Sequence, residues 1–167
     1  MSSKDKNLSV YTGEIGQMPE DTLVGIVVSE WNTEITEALL SAAVATLKEH
    51  GLTDDDIIIR HVPGSFELPL GAQFLLDNAA PHAVICLGCV IQGETRHFDF
   101  ICNSVSQGIM QLNLDYSTPV VFGVLTPENQ QQAIDRAGGK HGNKGVEAAN
   151  TALKMIALQN EIENEEE

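Results

Sequence analysis

Four short hydrophobic segments alternate along the chain with longer segments of helical periodicity. The four segments are rich in β-branched residues and are bounded by turn-forming residues, a pattern that predicts strands. Because they are almost continuously apolar, we expect a parallel sheet that is buried on both faces. The predicted strands are Leu23–Val28, Ile57–Val62, Ala83–Ile91 and Val120–Leu125.

The segments between and after these strands carry apolar residues three or four positions apart, which predicts amphipathic helices. Thr126-Pro127-Glu128 has the order of an N-cap residue, a proline at the first helical position and a first-turn carboxylate, so we expect a helix to begin there. The alternation of strand and helix implies right-handed crossovers and an α/β fold, a flavodoxin-like three-layer α/β/α sandwich with a four-stranded parallel sheet. The predicted helices span about 35–47, 68–76, 101–112, 127–137 and 146–156.

Length and composition indicate one domain. The chain has 167 residues, of which 43% are hydrophobic and 20% charged, enough apolar material for one core. Residues 1–20 are polar and contain glycine and proline, so we assign an N-terminal extension. Residues 21–160 form the predicted domain, and residues 161–167, with five glutamates, form an acidic tail that we expect to be solvated.

The charge balance limits the classes of partner. Nine Lys and Arg residues face 24 Asp and Glu residues, a formal net charge of −15, so clustered cations for nucleic acid or an anionic membrane are scarce. A small phosphate ester is still possible, because a few local donors hold it. The longest apolar run, Ala83–Ile91, is too short to span a membrane, and three cysteines suit a reducing compartment, so we expect a cytoplasmic protein.

The carboxyl ends of the predicted strands are where a ligand is expected. Gly93-Glu94-Thr95-Arg96-His97 follows the third strand and precedes a helix. Free amides at a helix N-terminus, with the Thr95 hydroxyl, make an anion site, and His97 suits proton transfer near neutral pH. The alternative is a simple helix cap beside a solvated histidine.

The ends of the first two strands carry aromatic and polar residues. Phe66 and Glu67 follow the second strand, where an exposed ring could pack on a planar heterocycle while the carboxylate accepts hydrogen bonds. The alternative places Phe66 in the core and makes Glu67 a first-turn carboxylate. Trp31 and Asn32 follow the first strand, where Trp31 either stacks on a ligand or packs, and Asn32 either binds or caps a helix.

Other motifs are weaker. Residues 138–145 read GGKHGNKG, a loop or hinge without the form of a nucleotide-binding loop, and nearby Arg136 is either a phosphate ligand or a surface ion-pair partner. Cys86 and Cys89 have redox spacing, but within a strand residues three apart point to opposite faces. The five histidines do not follow a zinc motif.

Taken together, the segments at the strand ends resemble the lumazine synthase family over about Val24 to Ile156. No single segment is specific, whereas five in this order are. They are Trp31-Asn32, PGSFELP at 63–69, GCVIQGETRHFDF at 88–100, VFGVLT at 121–126 and DRAGGKHGNKG at 135–145.

The resemblance implies a transferase-type enzyme of riboflavin biosynthesis. It would condense 5-amino-6-(D-ribitylamino)uracil with 3,4-dihydroxy-2-butanone 4-phosphate to give 6,7-dimethyl-8-ribityllumazine and phosphate. No metal and no cofactor are implied. Two alternatives stay open, namely a riboflavin synthase of archaeal type and a lumazine- or flavin-binding shell protein without catalysis.

The resemblance also implies residue roles. His97 would move protons, Trp31 would stack on the pyrimidine, and Asn32 and Glu67 would bind the ribityl side. The implied uracil contacts are made by Ser65, Phe66, Cys89, Val90 and Ile91. The implied phosphate residues are Gly93, Glu94, Thr95, Arg136 and Lys144. Because Glu94 brings a carboxylate to the phosphate, either it contributes only its backbone N–H or phosphate affinity is reduced.

Family sites lie between neighbouring subunits, so the resemblance implies a homo-oligomer. Phe122, Arg136 and Lys144 would come from the adjacent chain. The GGKHGN segment at 138–143 is similar to the form found in relatives whose pentamers assemble into hollow icosahedral shells. We therefore expect a shell of pentamers, with riboflavin synthase as a possible guest inside it.

Overall fold

The computed structural model describes Asn7, Ser9, Val10 and residues 13–165, and the remaining residues of the predicted extension and acidic tail lie outside the described residues. The four predicted strands are present as β1 Val24–Ser29, β2 Ile57–Val62, β3 Ala83–Cys89 and β4 Val120–Leu125. They form one parallel sheet with the order β2-β1-β3-β4. Because the chain turns from β2 back across β1 to β3, the switch point of the sheet lies between β1 and β3, where ligands bind in such folds.

Helices cover both faces of the sheet and confirm the three-layer α/β/α sandwich. The helices are α1 Thr33–Glu49, α2 Leu68–Ala79, α3 His97–Tyr116, α4 Gln130–Arg136 and α5 Lys144–Glu165. Buried side chains of α1 and α5 pack on one face, and those of α2 and α3 pack on the other. Every residue of β1 and β3 is buried, which explains their continuous hydrophobicity.

Helices α1 and α5 pass each other very closely where α5 begins. A Cβ atom added at Gly145 would lie 2.0 Å from the carbonyl oxygen of Leu39. Backbone atoms cannot move aside as a flexible side chain can, so only glycine fits at this crossing. The close approach places the beginning of α5, which carries Lys144 and Glu147, against the middle of α1.

The fourth helix begins later than the sequence predicts. Asn129, and not Thr126, is its N-cap residue, and the Asn129 side chain accepts the N–H of Gln132 at 3.0 Å. The carbonyls of Leu125 and Pro127 accept the N–H groups of Val90 and Gln92, at 2.8 and 2.9 Å. These bonds pair residues 125–127 with the segment after β3. Thr126 and Pro127 therefore do not start the helix.

The segment that the sequence predicts as a loop or hinge between the last two helices is a short hairpin. Strands β5 Ala137–Gly139 and β6 Gly142–Asn143 pair antiparallel, and Gly138 and Gly142 have positive φ angles of 113° and 80°. Such angles favour glycine, which explains the glycine-rich composition. The hairpin joins Arg136 directly to Lys144.

Both ends of the chain contact the domain in their described parts. Ile15 and Met18 pack against the core on the α1/α5 face, and Asn160 donates a hydrogen bond to the carbonyl of Gln17 at 3.0 Å. Helix α5 continues into the predicted acidic tail and ends at Glu165. Among the described helices, none is long and apolar enough to cross a membrane.

Candidate active site

The loop after β1 is fixed to the ends of both neighbouring strands. The Trp31 N–H donates to the carbonyl of Pro63 at 3.1 Å, and the Asn32 side-chain amide donates to the carbonyl of Cys89 at 2.9 Å. Asn32 has a left-handed φ of 62° at the N-cap position of α1, but its side chain does not cap the helix. The amide of Asn32 therefore serves the strand ends instead of the helix terminus.

The Trp31 indole lies on the surface above Gly64. Trp31 is 66% exposed, and a Cβ atom at Gly64 would approach its ring to 2.5 Å. Any side chain at position 64 would displace the ring, so the glycine sets its position. An exposed indole held over a rigid turn can stack on a planar ligand.

The 63–67 turn presents one aromatic residue and uses one carboxylate internally. Phe66 is 54% exposed, so the alternative that places it in the core is wrong. The Glu67 carboxylate accepts the N–H of Gly64 at 3.0 Å, which matches the local role that the sequence left open. The second oxygen of the same carboxylate gives Glu67 further acceptor capacity toward a ligand.

Two buried hydroxyl groups lie under this turn. The Oγ atoms of Ser29 and Ser65 have no hydrogen-bond partner among the described residues, although both side chains are buried. A Cβ atom at Gly88 would lie 2.6 Å from the Ser65 hydroxyl and 3.4 Å from the Ser29 hydroxyl, so both flank the same point of β3. Buried hydroxyls without partners are costly, so these two groups form an unsatisfied polar position beneath the turn.

The segment after β3 is partly engaged within the chain. Cys89 is buried, and Val90 and Ile91 are partly buried. The Cys89 carbonyl accepts from Asn32, and the Val90 N–H donates to Leu125. These two bonds use the Cys89 carbonyl and the Val90 N–H within the chain.

The predicted anion loop is exposed and leads into α3. Gly93, Glu94 and Thr95 are exposed, and His97 is the first residue of the helix. The Thr95 hydroxyl accepts the His97 N–H at 3.4 Å. The first-turn amides and the imidazole thus lie at the same helix end, as the sequence predicts for an anion beside a proton-transfer group.

Arg136 and Lys144 converge on a residue that sequence reasoning missed, Glu147. The Arg136 guanidinium lies 2.8 Å from one oxygen of Glu147, and the Lys144 ammonium lies 3.2 Å from the other. Arg136 also donates to the carbonyl of His141 at 2.8 Å. The available sequence signal was a carboxylate three residues after Lys144 at a helix start, because residues at that spacing are neighbours on a helix.

The structure does not gather all of the predicted residues into one site. Trp31, Phe66 and Glu67 belong to the carboxyl ends of β1 and β2, whereas Phe122 belongs to β4 at the far side of the sheet. Phe122 and Lys144 line a groove of about 520 Å³ between α3, β4 and α5. The candidate residues therefore fall into two separate groups. We name them the Trp31 half-site, which includes the loop before α3, and the Arg136 half-site, which includes Phe122, Lys144 and Glu147.

The CxxC pair lies on opposite faces of the sheet, as the strand position predicts. Cys86 packs toward α2 and α3, and Cys89 packs toward α1 and α5. Burial raises the pKa of the Cys86 thiol to about 12 and that of Cys89 to about 11. Both sulfurs are therefore neutral near pH 7 and lack the thiolate that redox exchange requires.

Across the described residues, no group of three or more His, Cys, Asp or Glu side chains is arranged to hold a metal ion.

Asp135 supports the hairpin that follows α4, and its contribution should depend on pH. Hydrogen bonding from Gln131 and the Lys140 ammonium 3.1 Å away lower the pKa of Asp135 below its usual 3.8. A lowered folded-state pKa stabilises the fold above the unfolded pKa, and this stabilisation disappears as the pH falls through the folded pKa. We expect Asp135→Asn to lower the melting temperature at pH 7, with a difference that shrinks below about pH 4.

Thermal unfolding from pH 7 to pH 3 checks this expectation. Asp54→Asn is the matched control, because Asp54 pairs with Lys48 at 2.6 Å in a solvent-exposed position and such pairs contribute little. A pH-independent difference for Asp135→Asn would contradict the electrostatic explanation.

Comparison with known proteins yields one family. A family model described as 6,7-dimethyl-8-ribityllumazine synthase matches residues 21–160. The 6,7-dimethyl-8-ribityllumazine synthase of Cytophaga hutchinsonii is 63% identical over 157 residues, which cover 94% of this chain and 98% of the relative. The protein of the same description from Porphyromonas gingivalis is 53% identical over 95% of this chain and 99% of the relative. The one from Parabacteroides distasonis is 49% identical over 93% of this chain and 98% of the relative.

Proposed function

This chain belongs to the 6,7-dimethyl-8-ribityllumazine synthase family, and we propose that two copies of it build each active site. It catalyses the condensation of 5-amino-6-(D-ribitylamino)uracil with 3,4-dihydroxy-2-butanone 4-phosphate in riboflavin biosynthesis. The proposal for the site is supported by the separation of the Trp31 half-site from the Arg136 half-site across one sheet. Each copy would contribute one of them to the interface.

The Trp31 half-site is assigned to the pyrimidine. The exposure of the Trp31 indole and the Phe66 ring supports packing of both on the heterocycle. Asn32 and Glu67 are assigned to the ribityl chain. Its uracil contacts come from Ser65 and the segment from Cys89 through Val90 to Ile91. The orphan hydroxyls of Ser29 and Ser65 add a polar position beneath them.

The phosphate is assigned to both half-sites. Gly93, Glu94 and Thr95 offer exposed backbone and a hydroxyl before α3, and the neighbouring copy supplies Arg136 and Lys144. Glu147 holds these two cations in one place without neutralising both, since one carboxylate faces two positive charges. Two cations beside a helix N-terminus bind a phosphate ester through charge-assisted hydrogen bonds.

Placement and proton transfer then carry the reaction. The pyrimidine amine attacks the ketone and forms an imine with loss of water, phosphate is eliminated, and the ribitylamino nitrogen closes the ring with loss of a second water. Holding the two reactants in register can supply roughly 7–11 kcal/mol of the barrier. His97 moves protons in these steps from its position at the start of α3.

Replacing His97 should slow turnover without affecting assembly. General acid–base catalysis contributes about 10²- to 10⁴-fold, and we expect His97→Ala to lower kcat at the small end of that range because orientation still acts. Steady-state kinetics at saturating substrates measure the change, and light scattering verifies the assembly. A kcat equal to that of the unaltered protein would remove His97 from the mechanism.

The reaction is tested by mixing the protein with both substrates and with each one omitted in turn. Lumazine absorbance and released phosphate should appear together and only in the complete mixture. Two lumazine molecules reacting without the butanone phosphate would instead identify a riboflavin synthase, and binding without turnover would identify a catalytically inactive shell protein.

The shared site is tested by mixing two impaired variants and measuring turnover at a low concentration of the butanone phosphate. Trp31→Ala and Arg136→Gln impair different half-sites, so in co-assembled oligomers about a quarter of the interfaces would carry two intact halves. Co-assembled oligomers should therefore turn over faster than the average of the two variants measured separately. If both half-sites belonged to one copy, no mixture would exceed that average.

Two apolar surfaces support self-association. Trp31, Phe66, Leu70 and Phe74 are exposed beside α2, and the groove that contains Phe122 lies at the other side of the sheet. Exposed apolar patches of this kind mark protein interfaces. Because the two surfaces differ, copies would join head to tail and close into a ring.

From the resemblance of residues 138–143, we assign five copies to each ring and propose that the rings assemble into an icosahedral shell. The proposed organisation has residues 21–160 as the domain, with an N-terminal extension before it and an acidic tail after it. The protein would work in the cytoplasm, with riboflavin synthase as a possible guest. Multi-angle light scattering at neutral pH should show a particle much larger than a pentamer, and a mass of five copies or fewer would refute the shell.

A further inference from the structure

The beginning of the chain is hydrogen-bonded to the hairpin between α4 and α5. The Ser9 hydroxyl accepts the Asn143 N–H at 2.6 Å and lies 3.1 Å from the Asn143 carbonyl, to which it donates. The Asn7 side-chain oxygen accepts the Ser9 N–H at 3.0 Å. We name Asn7 and Ser9 the N-terminal strap.

The N-terminal strap packs against Gly142 of the hairpin. Gly142 has a φ of 80°, and a Cβ atom added there would lie 2.0 Å from the Asn7 side-chain oxygen and 2.2 Å from the Ser9 hydroxyl. The strap side chains therefore occupy the space that a side chain at position 142 would need. A side chain at position 142 would therefore displace Asn7 and Ser9, and the positive φ independently favours glycine there.

Asn143 connects the strap to the rest of the domain. Its side-chain amide donates to the Ala38 carbonyl at 3.1 Å, and its side-chain oxygen accepts the Gly145 N–H at 2.7 Å. Together with the two bonds to Ser9, these contacts fix Asn143 on its backbone and on its side chain. The next residue is Lys144.

The hairpin also carries the contact that orients Arg136. The Arg136 guanidinium donates to the carbonyl of His141, one residue before Gly142. The strap thus holds the segment between the two cations of the Arg136 half-site, because Arg136 precedes the hairpin and Lys144 follows it. Displacement of the hairpin would move both cations relative to Glu147.

We propose that Asn7 and Ser9 are positioning residues that hold the 137–143 hairpin in the geometry in which Arg136 and Lys144 bind the phosphate of the substrate. The inference rests on the phosphate assignment made above. Neither strap residue touches the substrate. Their effect therefore appears as a higher KM for the phosphate-bearing substrate, with the pyrimidine KM unchanged.

The experiment compares Ser9→Ala with Ser9→Thr in the full-length assembled protein. Hydrogen–deuterium exchange of the peptide that spans the hairpin measures the Asn143 amide, whose acceptor is Ser9. Loss of one net hydrogen bond changes an equilibrium by about fivefold, so we expect Ser9→Ala to raise hairpin exchange and the butanone phosphate KM by about that factor. Ser9→Thr keeps a hydroxyl and should restore both values.

Thr53→Ala is the matched control. Thr53 also donates its hydroxyl to one acceptor, Asp56 at 2.7 Å, in the exposed turn before β2. This variant should leave hairpin exchange and both KM values unchanged.

The outcomes separate this inference from the phosphate assignment. Unchanged hairpin exchange in Ser9→Ala, or faster exchange without a change in the butanone phosphate KM, overturns the strap while Arg136→Gln still raises that KM. If Arg136→Gln leaves the KM unchanged, the phosphate assignment fails and the strap proposal fails with it. An equal rise of both substrates' KM values in Ser9→Ala indicates general loosening and also overturns the inference.

Discussion

Arg136→Gln should raise the KM for 3,4-dihydroxy-2-butanone 4-phosphate by about 10- to 100-fold. A hydrogen bond to a charged group is worth about 1.5–3 kcal/mol, and each 1.4 kcal/mol is tenfold. The substitution removes the guanidinium that now lies 2.8 Å from Glu147. The carboxylate that remains pairs only with Lys144, which leaves less positive charge for the phosphate.

The pyrimidine KM should stay within about twofold, because that substrate is assigned to the other half-site. Arg136→Lys should recover part of the loss, since lysine restores the charge but not the planar fork of donors. Arg60→Gln is the matched control, with the same change in net charge. Arg60 is exposed on β2, and its guanidinium donates to the carbonyl of the preceding residue, Ile59, at 2.7 Å.

Initial-rate kinetics with each substrate varied in turn decide the matter. A similar rise in both KM values would indicate a structural defect, and no rise in either would exclude Arg136 as a phosphate ligand. Both results would contradict the assignment of the Arg136 half-site.

Gly145→Ala should destabilise the protein by about 3 kcal/mol or more, at the upper end of the cost of overpacking. The new Cβ would lie 2.0 Å from the Leu39 carbonyl oxygen, so helix α5 or helix α1 must shift. Helix propensity alone predicts the opposite sign, because alanine is favoured over glycine by about 1 kcal/mol within a helix. The cost of the steric clash should exceed the gain in helix propensity, so the substitution should destabilise the protein.

Gly93→Ala is the matched control for stability. Nothing lies within 4 Å of a Cβ at Gly93, so its effect should stay within about 0.5 kcal/mol. The Gly145→Ala substitution should lower the melting temperature by about 6–12 °C, measured by thermal unfolding at equal protein concentration. A drop below about 2 °C would show that the helices can separate at no cost.

The fold could be predicted because its signals are periodic and local. The bounds of β2 and β4 match the predicted segments, and the continuous hydrophobicity of β1 and β3 follows from burial on both faces. The predicted start of α4 at Thr126 was wrong, although the local residues fit a cap. Backbone bonds from Val90 and Gln92 compete for that segment, and they come from more than thirty residues away.

For the candidate site, the sequence indicated where residues lie but not which groups they contact. The strand-end rule placed Trp31 and His97 after the carboxyl ends of β1 and β3, where the structure has them, while the exposure of Phe66 and the local bond of Glu67 needed the structure. Glu147 gave almost no signal, because a carboxylate near a helix start is ordinary in an acidic chain.

Periodicity and ordered motifs in the chain were sufficient to predict the α/β sandwich, the family and the strand ends that carry the candidate residues. Folding determined which groups meet: Asn32 with Cys89, Arg136 with Glu147, and Ser9 with Asn143. It also separated the candidate residues at the ends of β1, β2 and β3 from Phe122 on β4 and from the cations of α4 and α5. The reason is physical, since hydrophobic periods report how each segment is buried, whereas a side chain's partner depends on distances between segments that are remote along the chain.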